Sequence, residues 1–278
     1  MNFHEFTTQV ISEMRRRFPG YDIQVQEVPR LQGESYTGMA IHPGGGDIAL
    51  TLDLEALFDR FRNDLYLGNP MKAIEREIKE AVAQMPQFDT EALTNYERMK
   101  EKLTLQLVPA AKNKDLLADI PHRNIEDMAL AYRFDMGHNE RTSYSILVTN
   151  KMLNAYGISA AQLHDDALEA ASHSCPATLR NMNEVIHNMA GQTDPSPMWV
   201  ASIENGQNGA CVIQYPHFLD DAAETLGGSF YVLPSSIHEV LLLADDTSPS
   251  LSELENMVRT INQAEVAPEE RLSDNVFH

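Results

Sequence analysis

The sequence predicts an α+β fold in which mostly antiparallel sheets carry helices packed on their faces. Two observations support this prediction. Short apolar segments of strand length occur in pairs, and a segment with helical spacing of apolar residues follows most pairs. This β-hairpin–helix combination recurs at residues 37–68, 128–157, 198–227 and 229–263. Because the spacing is irregular, we predict one supersecondary unit used several times rather than a solenoid.

The N-terminal part of the chain alternates helical and strand patterns. Pro19-Gly20 ends the first helical pattern, and Asn69-Pro70 begins the third. The glycine run Gly44–Gly46 carries neither phosphate-binding glycine motif, so it is interpreted as a hairpin turn. In chain order the predicted elements are a helix at 2–18, a strand at 21–28, a hairpin at 37–50, a helix at 53–66 and a helix from 69 to 85.

The rest of the chain repeats this alternation. Ser159 and Gln162 have the spacing of a capping box, and so do Ser250 and Glu253, so each pair predicts a helix start. Residues 264–278 are predicted to be a polar, extended tail. The other predicted elements are strands at 103–109, 128–134 and 143–148, helices at 150–157 and through Leu179–Met189, a hairpin of Met198–Ile203 with Ala210–Tyr215, a helix from Pro216 to Gly227, and a hairpin of Ser229–Leu233 with Ile237–Ala244.

The hairpin within Gly227–Asp246 has the densest β-branched, aromatic and leucine content of the chain. Both arms are apolar nearly throughout, which predicts strands covered on both faces. The segment Gly191–Pro197 is linker-like. We therefore predict an α+β region at 1–190 and an acidic ββαββα region at 198–278, with one continuous domain as the open alternative.

The charge distribution indicates a class of partner. The chain has 41 acidic against 21 basic residues, a net charge of −20, and residues 197–278 hold 13 acidic and 2 basic residues. This field repels nucleic-acid phosphate and anionic membranes and attracts basic proteins; solubility alone is the open alternative. The candidate binding residues on this acidic surface are Asp220, Asp221, Glu224, Asp245, Asp246, Glu253 and Glu255.

Composition further limits the classes of protein. Two cysteines, Cys175 and Cys211, do not make a disulfide framework. The N-terminus has its basic residues after its apolar ones, unlike a signal peptide, and no apolar run is long enough for a membrane span. We expect a cytoplasmic protein. No cofactor motif is present, and His164 has no ligand partner four residues away, so no metal site or cofactor is predicted.

Two groups of polar residues could carry chemistry. His122, Arg123 and Asp127 form a dense cluster before a predicted strand, where they could bind an anion, orient an acid–base histidine or cap the chain. Ser235, His238 and Glu239 lie at the turn of the hairpin within Gly227–Asp246, but no G-x-S-x-G motif surrounds the serine. Ordinary turn chemistry explains these residues as well. A hydrolase-type enzyme would need both groups to converge on one pocket.

Several stretches together resemble an uncharacterised bacterial family from Gram-positive gut anaerobes, whose members resemble cargo of mobile elements. Residues 1–118 match more loosely. The resemblance implies no activity, although it marks His122, Arg123, Asn124 and residues 234–239 as shared features. The matching stretches are DIPHRNIEDMALAYR, SILVTNKMLNAYGISAAQLHDDALE, LGGSFYVLPSSIHEVLLLADD and EVAPEERLSDNVF.

The leading hypothesis from the sequence is a non-enzymatic acidic interaction protein that binds a basic protein. A narrower form of it is a nucleic-acid-mimicking inhibitor of a basic enzyme. The alternative is a hydrolase-type enzyme with its site between the His122 loop and the turn Pro234–Glu239. The sequence leaves the oligomeric state open.

Overall fold

The computed structural model describes residues 1–44, 49–63, 65–66, 68–84, 90–138, 143–186, 196–245 and 249–278. The chain forms two compact units, Met1–Thr90 and Glu91–His278. The predicted fold class is confirmed, because helices stand beside three antiparallel sheets.

The first unit is a three-stranded antiparallel sheet covered on one face by helices. Asn2 and Glu5 form a capping box at the start of its first helix. Ile23 and Ile41 face each other across two strands and share one buried cluster with the helical Phe6, Leu57 and Ile78. The elements are α1 (Phe3–Arg17), β1 (Tyr21–Val28), β2 (Tyr36–Pro43), β3 (Leu50–Asp53), α2 (Leu54–Arg62) and α3 (Pro70–Gln84), with strand order β1-β2-β3.

The second unit contains two four-stranded sheets and most of the remaining helices. A short helix, α4 (Thr90–Leu93), lies at its start. Two 3₁₀ helices cover Lys100–Lys102 and Gly209–Gln214. The other described elements are α5 (Tyr96–Met99), β4 (Leu103–Pro109), α6 (Lys114–Leu117), β5 (His122–Ile125), β6 (Met128–His138), β7 (Ser143–Leu147), α7 (Asn150–Tyr156), α8 (Ala160–Ser174), β8 (Ala177–Asn181), α9 (Met182–Ile186), β9 (Met198–Ile203), α10 (Phe218–Leu226), β10 (Phe230–Leu233), β11 (Val240–Ala244) and α11 (Leu251–Ala264).

The first sheet of this unit is centred on the long strand β6. β4 pairs with one side of β6, and β5 and β7 pair in turn along the other side. Helix α8, capped by Ser159 as predicted, covers one face. On that face Leu105 lies opposite Tyr132, and both share a buried cluster with Leu163 and Ala167 of the helix.

The second sheet has the order β10-β11-β9-β8, and helices cover both of its faces. Neighbouring residues of a strand point to opposite faces. Leu242 of β11 belongs to the buried cluster that contains Ala222 of α10, whereas Leu243 belongs to the cluster that contains Leu254 of α11. α10 and α11 therefore lie on opposite sides of this sheet.

Residues 265–278, which follow α11, pack against the β10–β11 hairpin. Leu272 and Val276 are buried, only 2% and 9% exposed. The amide of Val232 donates to the Phe277 carbonyl at 2.7 Å, and the amide of Ile237 donates to the Glu270 carbonyl at 2.8 Å. The tail thus packs against the second unit through a few buried residues, which the prediction of a polar, extended tail did not include.

Two further predictions were wrong. Residues 210–215 do not pair with β9 as a hairpin; all but Tyr215 lie in the 3₁₀ helix Gly209–Gln214, and β9 pairs with β8 and β11 instead. The prediction of a helix through Leu179–Met189 fails at its start, because Ala177–Asn181 is a strand; Met182–Ile186 is helical, and residues 187–189 lie outside the described residues. Both segments contact β9, a partner that local spacing of residues does not specify.

The central hairpin agrees with its prediction, since β10 and β11 pair antiparallel. β11 is an inner strand with buried residues on both faces, while β10 is at the edge of the sheet and meets Phe277. The boundary predicted near residues 191–197 lies inside the second unit and almost wholly outside the described residues. A subdivision at that point stays a prediction.

Candidate functional site

Arg123 lies on the face of β5 that α8 covers, and there it contacts His164. Arg123 pairs in register with Leu130, and its Nη1 lies 2.7 Å from His164 Nε2. A guanidinium can only donate, so Nε2 accepts and the neutral ring carries its proton on Nδ1. Nδ1 then donates to the Tyr132 hydroxyl at 3.0 Å. The three side chains form one hydrogen-bonded chain from the solvent to the core.

This environment disfavours a charged His164. The residue is 9% exposed. Burial lowers the pKa of His164 below its usual 6.5, and the Arg123 charge lowers it further, while Asp165 acts in the opposite direction. Burial also raises the pKa of the Tyr132 hydroxyl to about 12. The cluster holds a neutral imidazole and a neutral phenol beside a cation, which positions donors but provides no ready base.

His122 points to the opposite face of β5, because adjacent strand residues alternate. It is half-buried, and its Nδ1 donates to the Ile120 carbonyl at 3.1 Å. His122 and Arg123 are therefore neighbours in sequence that face different surroundings.

The turn Pro234–Glu239 does not contain a nucleophile–base pair. His238 Nδ1 accepts from the Asn208 amide at 3.2 Å, and its Nε2 lies 3.5 Å from Glu270 Oε1. The Ser236 hydroxyl accepts from the His238 backbone amide at 3.0 Å. With both ring nitrogens engaged, His238 has no free acceptor for a serine proton. Glu239 is exposed. The backbone amide of Ser235 donates to the Leu233 carbonyl, and its carbonyl accepts from the Leu272 amide.

The tail connects the two groups of candidate residues. Asp127 accepts from the Ser273 hydroxyl at 2.7 Å and from the Asn275 amide group at 2.9 Å. The amide of Ser273 donates to the Pro234 carbonyl at 2.9 Å, and that of Leu272 to the Ser235 carbonyl at 3.1 Å. Segment 272–275 thus lies between the Asp127 loop and the turn. Sequence analysis missed these tail residues; the apolar pair Leu272 and Val276 within a polar segment was the available signal.

The acidic candidates are distributed over both sides of the second sheet. Asp220, Asp221 and Glu224 are exposed on α10, whereas Glu253 and Glu255 belong to α11 on the opposite side. Glu253 also serves as a helix cap, because its carboxylate accepts from the Ser250 amide at 2.9 Å. Asp245 Oδ2 lies 3.3 Å from His278 Nε2, and Asp246 lies outside the described residues. These carboxylates do not form a single face.

Among the described residues, no Lys or Arg forms an ion pair with the candidate carboxylates Asp220, Asp221, Glu224, Asp245, Glu253 and Glu255. The ion pairs of the basic residues from Arg16 to Lys100 involve carboxylates of residues 13–97. The pairs of Asp220, Asp245 and Glu270 are with histidines.

A family model described as a family of unknown function, DUF5688, matches residues 3–278. The chain belongs to the DUF5688 family. The family resemblance is thereby confirmed at the level of a family of unknown function, and it covers nearly the whole chain. An origin of DUF5688 proteins in gut anaerobes or on mobile elements stays a prediction. No curated protein and no solved structure matches this chain.

The described residues of this DUF5688 protein contain no group of three or more His, Cys, Asp and Glu side chains arranged to hold a metal ion. Among the described helices, none combines the length and apolarity that crossing a membrane requires. Cys175 and Cys211 are both free thiols.

The lowered pKa of His164 predicts a pH-dependent stability of the DUF5688 chain. The unfolded state, with a pKa near 6.5, takes up the proton first as the pH falls, so the His164 contribution is complete above pH 6.5 and is lost below it. His164→Asn keeps a donor towards Tyr132 and removes the titration. In urea unfolding between about pH 7.5 and 5.5, the wild type should lose more stability than the variant. Parallel pH profiles would contradict this prediction.

Proposed function

We propose that this DUF5688 protein is a non-enzymatic interaction protein that binds a basic protein through exposed carboxylates, chiefly those of α10. Asp220, Asp221 and Glu224 are exposed on this helix, and no Lys or Arg among the described residues is paired with them. This lack of cationic partners is the observation that carries the proposal. Carboxylates without local counterions keep their field, which speeds the approach of a cationic surface and favours its binding.

The α10 surface also offers apolar area. Leu219 is 42% exposed beside Asp220, and one turn of helix separates Asp220 from Glu224. Interfaces combine apolar contact with a charged rim. The partner that fits is therefore a basic protein surface with an apolar centre, at the scale of one helix. A nucleic-acid-mimicking inhibitor is the narrower form of this proposal, in which free nucleic acid would compete for the same partner.

A cytoplasmic location is part of the proposal. Two free thiols, Cys175 and Cys211, agree with a reducing compartment. The enzymatic alternative has weaker support, because both ring nitrogens of His238 are engaged and segment 272–275 lies between the two candidate groups.

The proposal predicts that neutralising α10 abolishes partner binding. The variant Asp220→Asn, Asp221→Asn, Glu224→Gln is compared with a control, Glu101→Gln, Glu265→Gln, Glu269→Gln, which changes the net charge equally at exposed positions but leaves α10 intact. Both should remain folded by thermal melting, since lost interactions with the α10 dipole cost about 1 kcal/mol each at most.

The measurement is capture of cytosolic proteins on the immobilised chain at low salt, followed by elution with a salt gradient. Basic proteins should be retained by the wild type and the control but not by the α10 variant, and salt should release them because it screens exposed charges. Retention that does not depend on the salt concentration, or an equal loss of retention with both variants, would contradict the proposal. Competition by added duplex DNA tests the narrower form.

A further inference from the structure

A small pocket in the second unit contains an arginine, Arg133, that has no carboxylate partner among the residues the structure describes. The cavity has a volume of about 110 Å³ and lies between the sheet centred on β6 and the loop 203–208. Arg133 and Asp135 of β6 and Ser145 of β7 line the sheet side. On the other sides the lining includes Cys175, Asn205, Gln207, Asn208 and Tyr215.

The guanidinium of Arg133 is held from one edge only. Its Nε and Nη2 donate to the Ser145 hydroxyl at 3.0 and 2.8 Å. Within the described residues Arg133 forms no ion pair and no other side-chain hydrogen bond. The end-on edge of the guanidinium, with Nη1 and the second hydrogen of Nη2, therefore has its donors available. Two parallel bonds from this edge are the geometry with which arginine holds a carboxylate.

The nearest acid does not supply the missing charge. Asp135 lies two residues along β6 and is exposed at the pocket rim. Its Oδ1 accepts from the Gly137 amide at 2.8 Å, and it makes no ion pair with Arg133. Burial lowers the pKa of Arg133 below its usual range, which reflects the cost of removing this charge from water. A neutral hydroxyl compensates that cost only in part, whereas an anion would compensate it more fully.

We propose that this pocket binds a small carboxylate, held end-on by Arg133 and contacted by the polar side chains of the loop 203–208. The size fits this class, because the cavity is well below the roughly 300–1,000 Å³ of pockets for drug-sized ligands. The Asn205 and Gln207 amide groups lie at the exposed side, where they can donate to a second oxygen. This site is independent of the α10 surface and of the proposed protein partner.

Cys175 allows a direct test, because its half-exposed thiol lines the same pocket. Iodoacetate is itself a small carboxylate, while iodoacetamide is its neutral counterpart. Cys211 is buried, and burial raises its pKa to about 12, so it should stay unmodified. The rate of Cys175 alkylation by each reagent is measured by mass spectrometry of the folded full-length chain.

In the wild type, the iodoacetate rate should saturate with concentration, and acetate should slow the reaction more than chloride at equal ionic strength. Arg133→Gln should lower the iodoacetate-to-iodoacetamide rate ratio by about tenfold, the effect of losing a charge-assisted hydrogen-bonded pair. Arg180→Gln removes an exposed arginine outside the pocket and should keep the wild-type ratio.

Two outcomes would overturn the proposal. One is an Arg133→Gln ratio equal to that of the wild type and of Arg180→Gln, which would leave Arg133 only its contact with Ser145. The other is an absence of acetate protection in the wild type, a measurement that needs no variant and so does not depend on Arg133→Gln folding. The fluorescence of the single Trp199 reports whether each variant keeps the second unit folded.

Discussion

Gly209→Ala should destabilise the second unit by about 3 kcal/mol. A Cβ at this position would contact Ser202 Oγ and would lie 2.5 Å from the His238 carbonyl oxygen and 2.7 Å from the Ile203 amide nitrogen. Two of these atoms are backbone, so the clash cannot be relieved by rotating a side chain. The Ser202 hydroxyl donates to the His238 carbonyl at 2.8 Å, and this bond would have to open. Urea unfolding followed by Trp199 fluorescence measures the loss.

Gly206→Ala is the matched control for this prediction. Gly206 lies in the same loop with φ at +70°, but a Cβ there would meet nothing within 4 Å. Its cost is conformational only, about 1 kcal/mol for a left-handed residue. A much larger loss at Gly209 than at Gly206 would establish that close approach of β9, the 3₁₀ helix and the His238 turn is what requires glycine. Equal losses at the two positions would contradict that explanation.

The same loop shows where sequence reasoning reached its limit. Residues 210–215 are mostly apolar and were predicted to pair with β9. The structure gives that pairing to β8 and β11, and Asn208, at φ 59°, turns the chain into a 3₁₀ helix instead. Local patterns identified the helix start at Ser159, the capping box of Ser250 with Glu253 and the β10–β11 hairpin, because those depend on neighbours in sequence. Strand order depends on distant partners that no local pattern specifies.

The candidate site was predicted in a similar, partial way. The sequence marks Arg123 and His164 as separate polar residues, but no local pattern indicates that residues 41 positions apart are in contact. Nor does any pattern single out Tyr132 as their partner. Their contact follows from the register of β5 on β6 and from α8 crossing the same face. The ordered tail was missed for the same reason, since its partners Asp127 and Val232 lie far back in the chain.

The net charge can be counted from the sequence, but the positions of the charged residues on the surface cannot be read from it. The acidic residues of α10 and α11 add to one total but lie on opposite sides of a sheet. The two helices lie on opposite faces because successive side chains of β11 alternate between the faces: Leu242 packs in the cluster of α10, and Leu243 packs in the cluster of α11. A charge total therefore limits the class of partner, and the sheet limits how many carboxylates can contact it at once.

Leu272→Ala should release the tail from the β10–β11 hairpin. Leu272 is 2% exposed, and removing such a buried side chain costs about 2–5 kcal/mol. Hydrogen exchange measures this release at the amides of Val232 and Ile237, which donate to tail carbonyls. Their protection should fall by at least about thirtyfold, the equivalent of 2 kcal/mol. The matched control is Leu251→Ala, because Leu251 is 47% exposed and should change protection little.

The distribution of the lost hydrogen-exchange protection shows whether the tail opens locally or unfolds together with the core. If only the amides bonded to the tail lose protection, the tail opens locally as a strap while β9 and β11 remain intact. Uniform loss across β9 and β11 would contradict this and make Leu272 part of the global core. Because segment 272–275 lies between Asp127 and the Pro234–Glu239 turn, a ligand that contacts both must displace the tail first. Such a ligand would bind Leu272→Ala more tightly than the wild type, since the variant has already lost much of the free energy that holds the strap closed.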